Sequence, residues 1–275
     1  MAGFVRNLQR VVVALGVCVA LIGFLAPRPA RGAAPEGAGG AARSIAFTVL
    51  GELPHDSQAF TQGLVFSGGV FYESTGLNGR SSVRKVDPRT GRASARFDLE
   101  PQYFGEGLAL VQGRLIQLTW QSGKAMVYDP ATLRRVAELP YDAEGWGLTG
   151  TPKGLLASDG SATLTWRDPA TLSPTGTLAV TDNGRAVSQL NELEWVEGRI
   201  LANIWHEDRI AVIAPATGVV EGWIDCTALR VRLGPRDGEA VLNGIAYDPA
   251  AKILYVTGKL WPKIFQLRLE GFPTP

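Results

Sequence analysis

Asp87-Pro88-Arg89-Thr90 is the first of four related segments. It returns as Asp129-Pro130-Ala131-Thr132 and Asp168-Pro169-Ala170-Thr171, then in decayed form as Ala214-Pro215-Ala216-Thr217. The steps between copies are 42, 39 and 46 residues. Each copy stands between two apolar, β-rich runs, where a tight turn belongs. Pro presets φ at the second turn position, and the Asp side chain caps the turn from the first. Self-similarity at this period marks a repeat architecture.

A second landmark runs in phase with the first. Gln62-Gly63-Leu64, Glu106-Gly107-Leu108, Trp146-Gly147-Leu148, Asn191-Glu192-Leu193 and Asn243-Gly244-Ile245 each open a unit. A hairpin follows, such as residues 108–120 turning at Gln112-Gly113, or 193–205 turning at Glu197-Gly198. Units of about 40–50 residues with three or four short strands read as propeller blades. Five openings predict an all-β, five-bladed β-propeller over residues 45–271. No segment keeps a 3.6-residue apolar period, so helices should be few. Residues 45–50 form an orphan strand before the first unit. An N-terminal strand placed at the edge of the last blade closes the ring and removes two open edges. A two-sheet sandwich is the alternative, and it leaves the shared phase of the two landmarks as coincidence.

The rest of the chain bounds the problem. Of 275 residues, 45% are apolar, which is ample for a large core. The 27 basic and 26 acidic residues leave a net charge of +1, which gives no field to recruit nucleic acid. Arg6 and Arg10 precede an unbroken apolar run over residues 11–26, and Ala30 and Gly32 supply small residues before a cut after Gly32. Residues 1–32 therefore read as a secretory signal peptide, and the expected location is periplasmic or secreted. An uncleaved anchor is the alternative, although the run is short for a span of about 20 residues. Leu15-Gly16-Val17-Cys18 is a poor lipoprotein box, because Val17 is bulky and Cys18 lies deep in the apolar run. Residues 33–44 are small and read as a flexible linker. Removal of Cys18 leaves Cys226 alone, so the mature chain has no internal disulfide and is expected to be a monomer held by packing.

Equivalent positions on the inner strands of a propeller form a ring around its channel. Here the ring is Gln62, Glu106, Trp146, Asn191 and Asn243. A purely structural ring would favour small or apolar residues. A second layer, at the far end of the next strand, offers Trp120, Asp159, Trp205 and Lys259, while Phe60 and Phe104 sit two residues before Gln62 and Glu106. One mouth of the channel thus collects aromatics around an acid, a lysine and several amides, the usual composition of a ligand site. Any one Trp could instead fill a gap between blades, and a lone Glu near a channel is more often solvated than catalytic. The joint pattern carries the argument. His55 and His206 belong to no zinc spacing. No nucleophile elbow, phosphate loop or dinucleotide fingerprint is present.

At these residues the sequence resembles the propeller-type glutamine cyclotransferases of plants and bacteria. The matching motifs begin with Pro54-His55-Asp56, Phe60-Thr61-Gln62-Gly63-Leu64, Tyr72-Glu73-Ser74-Thr75-Gly76 and Phe104-Gly105-Glu106-Gly107-Leu108. They continue with Glu144-Gly145-Trp146-Gly147-Leu148-Thr149, Leu190-Asn191-Glu192-Leu193-Glu194, Leu242-Asn243-Gly244-Ile245-Ala246-Tyr247-Asp248 and Thr257-Gly258-Lys259-Leu260-Trp261-Pro262. They span residues 45–270 in order and at blade spacing. Asn78 departs from the pattern, standing where an aromatic is expected.

The resemblance implies an enzyme that converts the N-terminal Gln of peptides or proteins to pyroglutamate and releases ammonia. It implies a metal-free site with no cofactor and no membrane partner after signal cleavage. Glu106 would be the general acid/base and Lys259 a catalytic donor. Gln62 and Asn191 would position the substrate, and Phe60, Phe104, Trp120, Trp146 and Trp205 would form its aromatic wall. One carboxyl can take a proton from the attacking α-amine and pass it to the leaving nitrogen. An apolar setting would raise its pKa toward the operating pH. Other readings stay open. A non-catalytic peptide-binding propeller could use the same mouth. A metal-dependent lactonase would need more acids in the first ring. A glycosidase would need a second carboxylate in register, for which Asp159 is the candidate.

Overall fold

The computed structural model describes residues 42–273, and in it five antiparallel sheets surround a channel. From the inside outward, the first blade is Thr61–Ser67, Val70–Thr75, Ser82–Val86 and Ala93–Asp98. The second is Gly105–Val111, Arg114–Thr119, Lys124–Tyr128 and Arg135–Pro140, and the third is Leu148–Thr151, Gly154–Ala157, Thr163–Arg167 and Pro174–Ala179. The fourth is Leu190–Val196, Arg199–Ile204, Arg209–Ile213 and Val220–Asp225. The fifth takes Leu242–Asp248, Ile253–Gly258 and Lys263–Leu269 from the end of the chain and Phe47–Pro54 from its beginning. The inner strands touch their neighbours all the way round, so the ring is closed. Thr227–Val231 is the one helix among the described residues. No helix described is long and apolar enough to cross a membrane.

The expected secretory segment lies outside the described residues, as does most of the expected linker. Its last three residues, 42–44, are an exception. Arg43 and Ser44 form a short strand pairing in parallel with Val220–Asp225, which would otherwise be an open sheet edge.

The core is five wedges, one between each pair of adjacent blades. Tyr72 and Val83 of the first blade meet Leu108, Leu115 and Met126 of the second, and Leu64 and Phe71 meet Ala246 and Ile264 of the fifth. At the seams of Gly107 and Gly147 the inner strands run so close together that only glycine fits. A Cβ on Gly107 would stand 2.5 Å from the Leu148 nitrogen, and one on Gly147 would stand 2.0 Å from the Asn191 carbonyl oxygen. This contact is the physical content of the glycine in the second landmark.

The Asp-Pro-x-Thr segments join the third strand of a blade to the fourth. Asp129 Oδ1 accepts the Thr132 amide and hydroxyl, both at 2.8 Å. The loop is one residue longer than the four-residue turn read from the motif. In all four copies the amide four positions on donates back at 2.8 Å: Gly91 to Asp87, Leu133 to Asp129, Leu172 to Asp168 and Gly218 to Ala214. These closing residues have positive φ, at 66°, 54°, 61° and 72°. Gly takes that conformation freely. Leu133 and Leu172 take it because their side chains are buried, and burying a Leu is worth about 1.5–3 kcal/mol against a left-handed cost of about 1–2 kcal/mol.

Two devices lock the closed ring. Behind the N-terminal strand, the Glu73 carboxylate receives His55 Nε2 at 2.9 Å, the Thr61 hydroxyl at 2.7 Å and the Arg84 guanidinium at 2.5 Å. His55 Nδ1 donates to the Trp261 carbonyl at 2.6 Å, and Arg84 also reaches Asp56 at 2.7 Å. His55 and Arg84 hold the Glu73 carboxyl far below its ordinary value despite full burial. Inside the channel, Glu192 of the fourth blade accepts the Leu64 amide of the first at 3.2 Å and the Ile245 amide of the fifth at 2.9 Å. Glu194 accepts the Tyr247 amide at 3.0 Å and the Thr149 hydroxyl at 3.3 Å. Burial pushes the Glu194 carboxyl up to about 8 and that of Glu192 well above its ordinary value.

Candidate active site

An inner strand begins where the second strand of its blade ends, because the two form an antiparallel hairpin. Thr61 pairs with Thr75, Gly105 with Thr119 and Leu242 with Gly258. Residues opening an inner strand and residues just past the second strand therefore share one mouth of the channel. That placement brings together Phe60, Gln62, Phe104, Glu106, Trp120, Trp146, Asn191, Trp205 and Lys259 around a cavity of about 320 Å3. Leu77 and Glu239 complete its lining.

The opening residues sit at strand irregularities. Pairing register slips between Thr61 and Gly63, between Gly105 and Leu108, and between Leu190 and Leu193. Gln62, Glu106 and Asn191 fall inside these bulges. A bulge breaks the alternation of side chains and re-aims one of them. It thereby turns a polar side chain out of the ladder and into the cavity. Behind Glu106 runs a buried polar chain. Tyr128 Oη donates to Gln117 Oε1 at 2.8 Å, Gln117 Nε2 donates to Ser74 Oγ at 2.7 Å, and the Ser74 hydroxyl donates to the Glu106 carbonyl. The bulge is thus fixed from beneath.

The Glu106 carboxyl is buried, and Gln62 Nε2 donates to it at 3.1 Å. Gln62 is oriented in turn by Asn243, whose Nδ2 reaches Gln62 Oε1 at 3.2 Å. Asn243 therefore supports the ring from below and does not line the cavity. Burial pushes the Glu106 carboxyl well above its ordinary value; Lys259 opposes this shift and Glu144 adds to it. The Lys259 ammonium lies 4.7 Å from the centre of the Phe60 ring. Burial pulls its pKa down, against the pull of Glu106 and Glu239. Among the described residues it forms no ion pair within 4.0 Å. Asn191 Oδ1 is buried with no hydrogen-bond partner among the described residues.

The wall is a set of edge-on aromatics. Phe60 and Phe104 meet at 6.1 Å, Phe104 and Trp120 at 5.9 Å, and Trp146 and Trp205 at 5.5 Å between ring centres. A Cβ on Gly76 would come within 2.3 Å of the Phe104 ring, so that glycine makes room for the wall. Glu144 bridges two blades. Its Oε2 accepts the Trp120 indole N–H at 3.2 Å and the Trp146 indole N–H at 3.3 Å, while Oε1 accepts Gln121 Nε2 at 2.6 Å. Asp159 lies off the cavity, and its Oδ1 accepts the Ser161 amide at 3.0 Å.

Three participants escaped the sequence reading. Glu144 was visible two residues before Trp146, but its partner Trp120 is in another blade. Leu77 directly follows the Tyr72-Glu73-Ser74-Thr75-Gly76 motif, and its apolar side chain gives no chemical signal. Glu239 lies in an irregular Gly- and Pro-rich stretch with no counterpart in other blades. Among the described residues, no three His, Cys, Asp or Glu side chains form a group able to hold a metal ion.

Comparison with known proteins gives matches of three kinds. The family model described as glutamine cyclotransferase matches residues 19–269. The glutaminyl-peptide cyclotransferase of Arabidopsis thaliana is 45% identical over 227 residues, covering 81% of this chain and 71% of the plant protein. The crystal structure of Myxococcus xanthus glutaminyl cyclase superimposes with a TM-score of 0.79 at 38% identity, covering 83% of this chain and 98% of that chain.

Proposed function

The chain belongs to the glutamine cyclotransferase family, and from that membership we propose that it converts N-terminal Gln to pyroglutamate with Glu106 as a metal-independent general acid/base. The observation that carries the reading is a buried carboxyl, raised in pKa, facing an aromatic cavity with a lysine at its rim. Glu106 faces this cavity, whereas the other buried carboxyls with raised pKa, Glu192 and Glu194, are engaged by backbone amides of neighbouring blades.

The cavity suits a glutaminyl side chain folded back on its own α-amine. The aromatic wall enforces that fold and replaces bulk water, so proximity carries much of the barrier. The neutral α-amine attacks the δ-carbonyl carbon and a tetrahedral adduct forms. Glu106 gives its proton to the departing nitrogen and takes one from the attacking nitrogen. The C–N bond to the carboxamide breaks, ammonia leaves, and the lactam and the protonated Glu106 remain. Lys259 donates to the oxyanion of the adduct. Asn191 Oδ1, which lacks a partner among the described residues, accepts an N–H of the substrate. No step draws on a metal, and among the described residues no three His, Cys, Asp or Glu side chains form a donor set. Export through the basic and apolar N-terminal segment would place the enzyme where mature secreted peptides expose N-terminal Gln.

Purified protein incubated with Gln-Phe should release ammonia, with a matching mass loss in the peptide, and EDTA should leave the rate unchanged. An inert dipeptide, or a rate lost on chelation and restored by zinc, would overturn this reading.

A further inference from the structure

A second cavity of about 640 Å3 begins where the first one ends. The two share Phe60, Leu77 and Glu239. It runs between residues 57–60 and 77–80 on one side and residues 235–240 on the other. Leu77 stands at the divide with φ of 81°, a conformation costly for a branched side chain. Its carbonyl accepts the Arg80 amide at 2.9 Å and the Ser81 hydroxyl at 2.8 Å, which holds the strained loop in place. Strain retained beside a site is a pointer to function.

The charges along the groove are ordered. Glu239 lies at the inner end, near enough to Lys259 to act on its charge. Asp237 is turned back on its own loop, where Oδ1 accepts the amides of Glu239 at 3.0 Å and Ala240 at 3.2 Å. Further out stand Arg80 and Arg236. Neither forms an ion pair with a carboxylate among the described residues, although Arg236 reaches the Leu233 carbonyl at 3.4 Å. A peptide that presents its first residue to Glu106 must lead its remaining residues out of the cavity, and this groove is continuous with it.

Resting on the cyclotransferase reading, we propose that the groove past Leu77 binds the third and fourth residues of the substrate and selects acidic side chains there through Arg80 and Arg236. The dipeptide head occupies the inner cavity. The tail crosses Leu77 and lays its carboxylates between the two guanidiniums, which accept them as exposed, salt-screened pairs.

The test compares Gln-Phe-amide, Gln-Phe-Glu-Glu-amide and Gln-Phe-Lys-Lys-amide, using the wild type and an Arg80→Glu/Arg236→Glu double variant. At low ionic strength the wild type should prefer the acidic tail about 5-fold in kcat/KM, as expected for two exposed ion pairs. High salt should erase the preference. The double variant should reverse the order of the two tails and turn over Gln-Phe-amide like the wild type. Equal rates of the wild type on both tails would overturn the proposal, as would a double variant that slows all three substrates alike. If Gln-Phe-amide itself is inert, the function reading fails first and takes this inference with it.

Discussion

A carboxyl that must both give and take a proton works best when its pKa lies near the operating pH. Burial shifts the Glu106 carboxyl upward, and Glu144 adds its charge in the same sense. Glu106→Gln should lower kcat by about 10²–10⁴-fold with the fold intact, read in steady-state assays on Gln-Phe. The same variant has a signature in stability. A carboxyl whose pKa is raised by folding is fully tolerated below its unfolded value, and its charge costs more as pH rises toward the folded value. The melting temperature of Glu106→Gln should therefore match wild type in mild acid and exceed it in mild base. Lys259→Met should cut kcat/KM by about two orders of magnitude, the loss expected for one oxyanion donor of about 3 kcal/mol. A normal specific activity with a depressed melting point would instead mark Lys259 as a structural group. Gln62, Glu106, Trp146 and Asn191 were legible in the sequence because the repeat phase assigned one position per blade to the mouth, whereas Asn243 holds the equivalent position but lies behind Gln62. Glu144, Leu77 and Glu239 were not, because each acts through a contact between blades or through an irregular loop that has no phase.

At the scale of elements, the two landmarks were legible because each meets a local physical demand. The glycine answers a close approach of inner strands, and the Asp answers free amides in a turn. What the motif could not show was a left-handed closing residue, since in two blades that residue is Leu and is held by burial. The lock behind the N-terminal strand was equally hidden, because it joins His55, Glu73 and Arg84 from separate elements. Its contribution is testable. Glu73→Gln leaves Arg84 buried without its carboxylate, and removing one partner of a buried pair costs about 3–5 kcal/mol. Urea unfolding should show that loss at neutral pH. The gap should narrow in acid, because a carboxyl whose pKa is depressed by folding stabilises above its unfolded value and loses this effect as pH falls.

The whole molecule is held by pairs of neighbouring blades and by two carboxyls that span the channel. The Glu194 carboxyl is pushed up to about 8, so its charge is disfavoured in the folded state across neutral pH. Stability should therefore decline between mild acid and about pH 8, where the unfolded chain releases that proton and the folded chain retains it. Glu194→Gln should flatten this decline. The gain at mildly alkaline pH should be at least about 2–4 °C in melting temperature, the shift that 1 kcal/mol gives a chain of this size. The number of blades and the closure by the first strand followed from sequence, whereas the channel carboxyls looked like ordinary strand residues. The pairing of Phe47 with Leu269 sets an order on the birth of the protein. The strand that completes the last blade is made before any inner strand and waits for its partner until residues 263–269 have been synthesised. No portion that stops short of residues 263–269 can shut the ring, so a nascent chain of that length is an open, unsealed precursor. Such a chain stays threadable until its final strand emerges.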